Sequence, residues 1–258
     1  MNIHPTAILD PRAELGTDVQ VGAYSIIDAY VTIGAHTVIG PHVHITGYST
    51  LGEDCVVHTG AVLGEPPQDR KYSRERSFLI IGNRNIIREF VTIHRGTEGG
   101  GRVTRIGDGN LLMAYVHVAH DVDVGSHTVL ANGVTLGGHV TVGDYVTIGA
   151  FSGVHQFCRV GRQAIIGGYS VVTQDILPFS NSTTPRDVKC FGENRVGLER
   201  RGFAPETVEH LHTAFRLLTR GGLNTSQAIE RILAEVPPTD EVDELIAFIR
   251  ASARGVIK

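Results

Sequence analysis

His120 and Asp121 stand side by side in a chain of 258 residues that carries 13 histidines. An imidazole is the side chain best placed to take a proton from an alcohol near neutral pH, and an adjacent carboxylate can fix its tautomer and support its protonated form. Eighteen residues after this pair come Gly138 and His139, and eighteen further on come Gln156 and Phe157. A backbone N–H at Gly138 could meet a developing oxyanion. His117 and His155 flank the set. These residue types suit acyl transfer to a hydroxyl without a covalent intermediate. Other histidines, such as His36 and His42, occupy solvated turn positions. A second chemistry stays open, because His117, His120 and His139 could be arranged around Zn²⁺.

The spacing of eighteen matters because aliphatic residues return every sixth position, as at Leu15, Val21, Ile27, Ile33, Ile39, Ile45, Leu51, Val57 and Leu63. The beat resumes at Ile81, Ile87 and Ile93, then runs from Ile106 to Val172. Glycine often follows it, and the fourth residue after it is small or β-branched. Period six marks a chain winding one short strand and one turn per hexad, a parallel β-helix. One aliphatic side chain per hexad cannot bury itself alone, so the turns must stack. In hexapeptide-repeat proteins three hexads close one triangular, left-handed turn. Residues eighteen apart then lie in columns, about 4.8 Å per step. His120, Gly138 and Gln156 form one column, and Asp121, His139 and Phe157 the next.

Two places break the beat, and each reads as an extruded loop: one near 64–80, with Pro66 and Pro67, and one near 96–105, with Gly99-Gly100-Gly101. After about Pro178 the spacing turns helical. Val208, Leu211, Phe215 and Leu218 define one face after Pro205-Glu206, ended by Gly221-Gly222. Ala228, Ile229, Ile232 and Leu233 define a second, stopped by Pro237-Pro238. Val242, Leu245, Ile246 and Ile249 define a third, opened by Thr239-Asp240-Glu241. The expected organisation is a left-handed parallel β-helix over 1–185 and a small α-helical domain over 186–258 that caps the open end of the coil.

Net charge is −4 with no Trp and 41% hydrophobic residues, which argues against a disordered tail and a bulk nucleic-acid binder. The longest apolar runs fall well short of the roughly 20 residues that span a bilayer, and Met1-Asn2-Ile3-His4-Pro5 does not read as a signal peptide. A cytoplasmic protein is expected. Cys55 and Cys158 take the small interior phase of their hexads and Cys190 lies beyond the coil, so packing rather than a disulfide framework is expected of them.

The segments Ile93-His94-Arg95-Gly96-Thr97, Asn110-Leu111-Leu112-Met113, His117-Val118-Ala119-His120-Asp121, Leu130-Ala131-Asn132, Gly138-His139-Val140, Val154-His155-Gln156-Phe157-Cys158 and Arg200-Arg201-Gly202-Phe203 carry a close resemblance. Together they resemble the acyl-[acyl-carrier-protein]–UDP-N-acetylglucosamine O-acyltransferase family, which performs the first step of lipid A synthesis. The likeness runs from Ile3-His4-Pro5 to Ala253-Arg254-Gly255. The related N-acyltransferase carries an additional N-terminal domain, for which there is no room before Ile3.

The resemblance implies a homotrimer with active sites in clefts between adjacent coils. His120 would be the general base on the glucosamine 3-hydroxyl, Asp121 would orient it, and the Gly138 N–H would stabilise the oxyanion formed from the thioester. Gln68, Asp69 and Lys71 would reach into a neighbouring subunit's site, Asp69 near the sugar. His117, His139, His155 and Gln156 would contact the sugar nucleotide or acyl group, Asn194 and Arg200 would hold the uridine diphosphate, and Gly168 would leave space for a long acyl chain. The acyl donor rides on the phosphopantetheine of acyl carrier protein, and no metal or other cofactor is implied. The chain departs from the family pattern in the charged stretch Thr183–Gly192 and at Val196, where a glutamate is common. Arg186, Lys189, Arg195, Arg200, Arg201, Arg216 and Arg220 gather in the C-terminal third, a basic set suited to an acidic carrier protein. Two alternatives remain beside acyl transfer: a metal-dependent hydratase of the carbonic anhydrase type, whose usual ligand spacing His117-x-x-His120 lacks, and a non-catalytic scaffold.

Overall fold

The computed structural model describes residues 2–183, 189–220 and 222–257, the side chains of Thr183 and Arg220 excepted. Most hexads form a two-residue strand whose second residue is the beat. In Thr32–Ile33, Val38–Ile39 and His44–Ile45 the inward isoleucines are at most 1% exposed. The strands assemble into three parallel faces, the first starting at Asn2–Ile3, the second at Ile8–Leu9 and the third at Glu14–Leu15. The stack is a left-handed β-helix. Register is eighteen wherever the beat is unbroken: Asn2 pairs with Gln20, Gln20 with Val38, and Val38 with Val56.

The glycine after the beat is required by its neighbour coil rather than by its own dihedral angles. A Cβ on Gly34 would lie 2.5 Å from the Gly52 carbonyl carbon, and one on Gly149 would lie 2.3 Å from Gly168 N. Left-handed backbone falls instead on the third residue after the beat, which is often aromatic, histidine or aspartate: Tyr24 (φ 57°), His42 (φ 54°) and Asp121 (φ 58°) are examples. These residues point outward at the corners and stack upon one another, as Phe90 does on Tyr115 at 5.3 Å.

The outward rows differ in chemistry. The first face presents Val38, Val56, Ile86, Leu111, Val129 and Ile165, the third face Glu14, Thr32, Arg105, Asp123 and Arg159. Both breaks leave the coil at one corner, where the second face passes to the third. The first insertion lies between Val62–Glu65 and Phe78–Ile81, the second between Thr92–His94 and Val103–Ile106. Across them Val56 pairs with Ile86 and Ile86 with Leu111, so the first face keeps its pairing, while at the departure point the register shifts, Leu63 pairing with Ile93 and Glu65 with His94.

The coil's first face continues into Ser180–Thr183, on which Lys189–Glu193 pairs antiparallel. That second strand lies in the part expected to be helical, and it was not legible in the helical spacing. The expected boundary at 185/186, Arg186 and Gly221 lie outside the described residues. Among the described residues four helices follow: α1 (Arg195–Arg200), α2 (Pro205–Arg220), α3 (Thr225–Glu235) and α4 (Asp240–Arg250). Asn224 and Thr239 cap α3 and α4 by accepting from Gln227 N and Val242 N. The helices pack around Phe215, Leu211 and Leu245 against Leu177 and Phe179, where the coil ends. Arg159 holds Asp175 at 2.8 Å, Ser252 donates to the same carboxylate at 2.9 Å, and Ile257 joins the coil core. All three cysteines are free and buried, and burial raises the Cys55 thiol despite its hydrogen bonds. No helix among the described residues is long and apolar enough to cross a membrane.

Candidate active site

The corner that extrudes both insertions also carries the histidines. His120 Nδ1 lies 2.8 Å from Asp121 Oδ2. An ionised carboxylate only accepts, so Nδ1 carries the proton and donates, which leaves Nε2 with a free lone pair. The Asp121 side chain is 1% exposed and that of His120 16%. Burial alone would raise the Asp121 carboxyl, but hydrogen bonds from His120 and from the side chain and backbone of Thr97 outweigh it. The carboxyl is held below its ordinary range and stays ionised at neutral pH. The two Thr97 bonds are Oγ1 to Oδ2 at 2.5 Å and N to Oδ1 at 2.8 Å. The Asp121 N–H donates to Thr104 Oγ1 at 2.8 Å, which anchors the backbone of the pair.

One coil further on, Gly138 faces the His120 ring: a Cβ there would lie 2.7 Å from Cε1 and 2.8 Å from Nε2. Only glycine leaves room beside the bare nitrogen. Among the described residues nothing accepts a hydrogen bond from the Gly138 N–H. His139 stacks on Phe157 with centroids 4.6 Å apart, so the column Asp121, His139, Phe157 is as the spacing implies. The His139 ring stands edge-on to His120, and its Nε2 is 3.8 Å from Asp121 Oδ2. Burial lowers its pKa, with His120 acting in the same direction and Asp121 and Asp69 against it.

Behind His120, His117 accepts or donates a 2.7 Å hydrogen bond with Thr92 Oγ1 and meets His94 edge-on at 4.9 Å. Burial lowers the pKa of both. For His94 it falls to about 4, with His117 and His120 adding to the effect of burial. His155 and Gln156 sit exposed on the next turn of the same corner.

The first insertion folds against its own chain. Asp69 and Lys71 line a cleft of about 400 Å³ with Glu75, Thr97, His139 and Phe157. Within one chain, then, Asp69 and Lys71 already lie beside His139. Gln68 is exposed on the same loop.

Asn194, Arg200 and Gly168 are not brought to His120 within one chain. Asn194 and Arg200 line a separate cleft of about 580 Å³ against Thr147 and Ile165 of the first face, with Val196 at its edge. Asn194 also caps α1, accepting from Gly197 N at 3.2 Å while donating to Gln163 O at 2.9 Å. Gly168 lies at the corner between the first and second faces, beside Ala150.

A family model described as UDP N-acetylglucosamine O-acyltransferase, domain 2, matches residues 175–257. Bacterial transferase hexapeptide repeats match residues 30–65, 104–138 and 139–174. The structure of LpxA from Acinetobacter baumannii aligns at a TM-score of 0.95 and 41% identity, covering 99% of both chains. LpxA from Bacteroides fragilis, a UDP-N-acetylglucosamine acyltransferase, aligns at 0.96 and 39%, with 99% of each chain covered. The acyl-[acyl-carrier-protein]–UDP-N-acetylglucosamine O-acyltransferase of Thermodesulfovibrio yellowstonii is 44% identical over 256 residues, 99% of each chain. The chain belongs to the UDP-N-acetylglucosamine O-acyltransferase family.

Two further points bear on this acyltransferase-family chain. Donor atoms of His120, Asp121 and His139 fall within 4.8 Å of one another, a distance at which three ligands could share a cation. The Asp121 oxygens, however, already accept from Thr97 twice and from His120. A cation there would have to break that arrangement, so the donor set favours proton transfer over metal ligation. Spacing also missed two residues at the site, Thr97 and His94. Thr97 sits in an insertion, where no column arithmetic applies, and His94 immediately precedes it.

Proposed function

We propose that this protein transfers a 3-hydroxyacyl group from acyl carrier protein to the 3-hydroxyl of UDP-N-acetylglucosamine, the first step of lipid A synthesis. The observation that carries the reading is the Nδ1-protonated His120 on an ionised, buried Asp121, its Nε2 edge facing Gly138. In this scheme Nε2 takes the proton of the sugar hydroxyl as its oxygen attacks the thioester carbonyl. Negative charge forms on the carbonyl oxygen, for which the uncommitted Gly138 N–H is a donor. Collapse expels the phosphopantetheine thiolate, and the proton held by His120 goes to sulfur. The imidazolium formed in between is stabilised by Asp121. The scheme uses no metal or other cofactor of the protein's own, and acyl carrier protein as donor places the work in the cytoplasm.

The acceptor is positioned in two parts. Asp69, Lys71 and His139 line the cleft beside the base and suit the sugar, with His117, His155 and Gln156 along the same corner. Asn194 and Arg200 lie on the first face and suit the diphosphate end. One UDP-sugar meets both sets when a first face of one copy packs near the histidine corner of another. The apolar row Val38, Val56, Ile86, Leu111 and Val129 supports such packing, and threefold repetition closes it as a homotrimer. In this scheme the lack of a side chain at Gly168 makes room for a long acyl chain. Equal use of short and long donors in a chain-length assay would count against that role.

Transfer from 3-hydroxymyristoyl acyl carrier protein to UDP-N-acetylglucosamine is the direct test. His120→Ala should lower turnover by at least several hundredfold, with the circular dichroism spectrum and assembly unchanged. If the native protein transferred no donor of any chain length, the reading would fail.

A further inference from the structure

The carboxylate of Asp121 lies between two imidazoles. Its Oδ2 is 2.8 Å from His120 Nδ1 and 3.8 Å from His139 Nε2. A carboxyl group free to turn about its Cβ–Cγ bond could serve either ring, and only one of them faces Gly138. Thr97 removes that freedom by donating to both oxygens, Oγ1 to Oδ2 and N to Oδ1. One donor on each oxygen fixes the plane of the group as well as its charge.

Thr97 is placed for this task at the expense of another. It is the N-cap of the short 3-10 turn Glu98–Gly100, yet its side chain makes no capping hydrogen bond. A threonine at that position ordinarily caps its own turn; here the hydroxyl is committed to Asp121. The insertion wraps the carboxylate closely enough that a Cβ on Gly100 would lie 2.0 Å from Asp121 Cγ. It is braced on the first insertion. Glu98 N donates to Glu75 Oε1 at 3.1 Å, and Arg95 donates to the Tyr72 hydroxyl at 3.2 Å and to Gly64 O at 3.2 Å.

We infer that Thr97 is a positioning residue that commits Asp121 to His120 rather than to His139, and thereby selects which imidazole acts as the base. The inference rests on the acyl-transfer reading above. Thr97→Val keeps the shape and the backbone N–H but frees Oδ2 to turn toward His139, whereas Thr97→Ser keeps the hydroxyl.

Two readouts on the full-length protein test it. In the transfer assay, kcat of Thr97→Val should fall about thirtyfold with both KM values within about threefold, and Thr97→Ser should restore most of it. In an Asp121→Asn background the same Thr97→Val change should cost little more, because the residue acts through that carboxylate. Imidazole ¹⁵N spectra should show His120 as the Nδ1–H tautomer in the native protein and in Thr97→Ser, and a mixed population in Thr97→Val. Unchanged kcat and an unchanged His120 tautomer in Thr97→Val would overturn the inference, as would full additivity with Asp121→Asn. A native protein without transfer activity whose His120 tautomer still depends on Thr97 would sink the reaction and leave the positioning role standing. If Thr97→Val fails to fold, Thr97→Ala is read in the same two ways.

Discussion

A histidine buried without a charge partner makes the fold sensitive to acid. His94 is 5% exposed, its Nδ1 has no hydrogen-bond partner among the described residues, and its pKa falls from 6.5 to about 4. The unfolded chain takes up a proton near the ordinary value, and the folded chain only near the lower one. Its contribution to stability is therefore complete above pH 6.5 and is lost as the pH falls from there to about 4. His117 and His139 shift in the same direction, while Asp121, lowered from 3.8, adds its own loss only in stronger acid. Urea unfolding at fixed protein concentration should show about 2–3 kcal/mol lost to His94 between pH 7.5 and 4.5, and His94→Gln should flatten the slope by that amount. An equal slope in the variant would assign the acid sensitivity to other groups. Thr97 and His94 share the segment that resembles the family, yet the resemblance named no task for either. Column spacing reached His120, Asp121, Gly138, His139, Gln156 and Phe157 because those residues sit on unbroken turns. It could not reach a hydroxyl delivered by an insertion.

Strands of two residues leave little to choose among side chains, so the coil's tolerance is decided at its glycines. Gly149 is the first residue after its beat and Gly138 the second after its own, and they face different obstacles. A Cβ on Gly149 meets backbone, Gly168 N at 2.3 Å, which cannot yield without parting two coils. Gly149→Ala should cost about 2–3 kcal/mol in unfolding free energy. A Cβ on Gly138 meets the His120 imidazole at 2.7 Å, and a side chain can turn away. Gly138→Ala should keep most of its stability in the same urea titration and lose about a hundredfold in kcat. A Gly138→Ala variant that lost stability but kept its kcat would mean that this glycine serves packing rather than the base. The helices divide similarly by what their sequences reveal. Pro205 begins α2 and Thr239 caps α4, as the spacing implies. The six residues of α1 and the strand Lys189–Glu193 are too short to show a period of their own, and that strand is recognisable only from its pairing with Ser180–Thr183.

At the scale of the molecule the chain is acidic while a set of arginines and a lysine gathers between residues 186 and 220, and the structure thins that basic set. Arg195 is engaged by Glu193 and Glu209, at 3.2 and 2.8 Å, and Arg201 lies over the Tyr145 ring and donates to Gly197 O. Arg200 and Arg216 remain exposed. Arg216, on α2 and away from the cleft of Asn194, is the better candidate for meeting an acidic carrier protein. Arg216→Glu should raise the carrier-protein KM several-fold at low ionic strength, by about 1 kcal/mol or less, and the difference should shrink as salt is added. A change confined to the KM of the sugar nucleotide would point away from docking. That the loop of Asp69 lies beside His139 of its own chain was not legible in the sequence. Spacing describes what repeats, and a loop leaves the repeat.

On the first face the strands pair across the two insertions as they do where there is none, although Val56 to Ile86 spans thirty residues and Ile86 to Leu111 twenty-five. The coil thus absorbs the chain that departs at the corner between its second and third faces with no more than a bulge at Glu65. Substrate choice can diversify there by lengthening or trimming one loop while the stack is inherited intact. For the same reason the exposed stretch around Arg74 is where a foreign peptide could be spliced with the least consequence for folding.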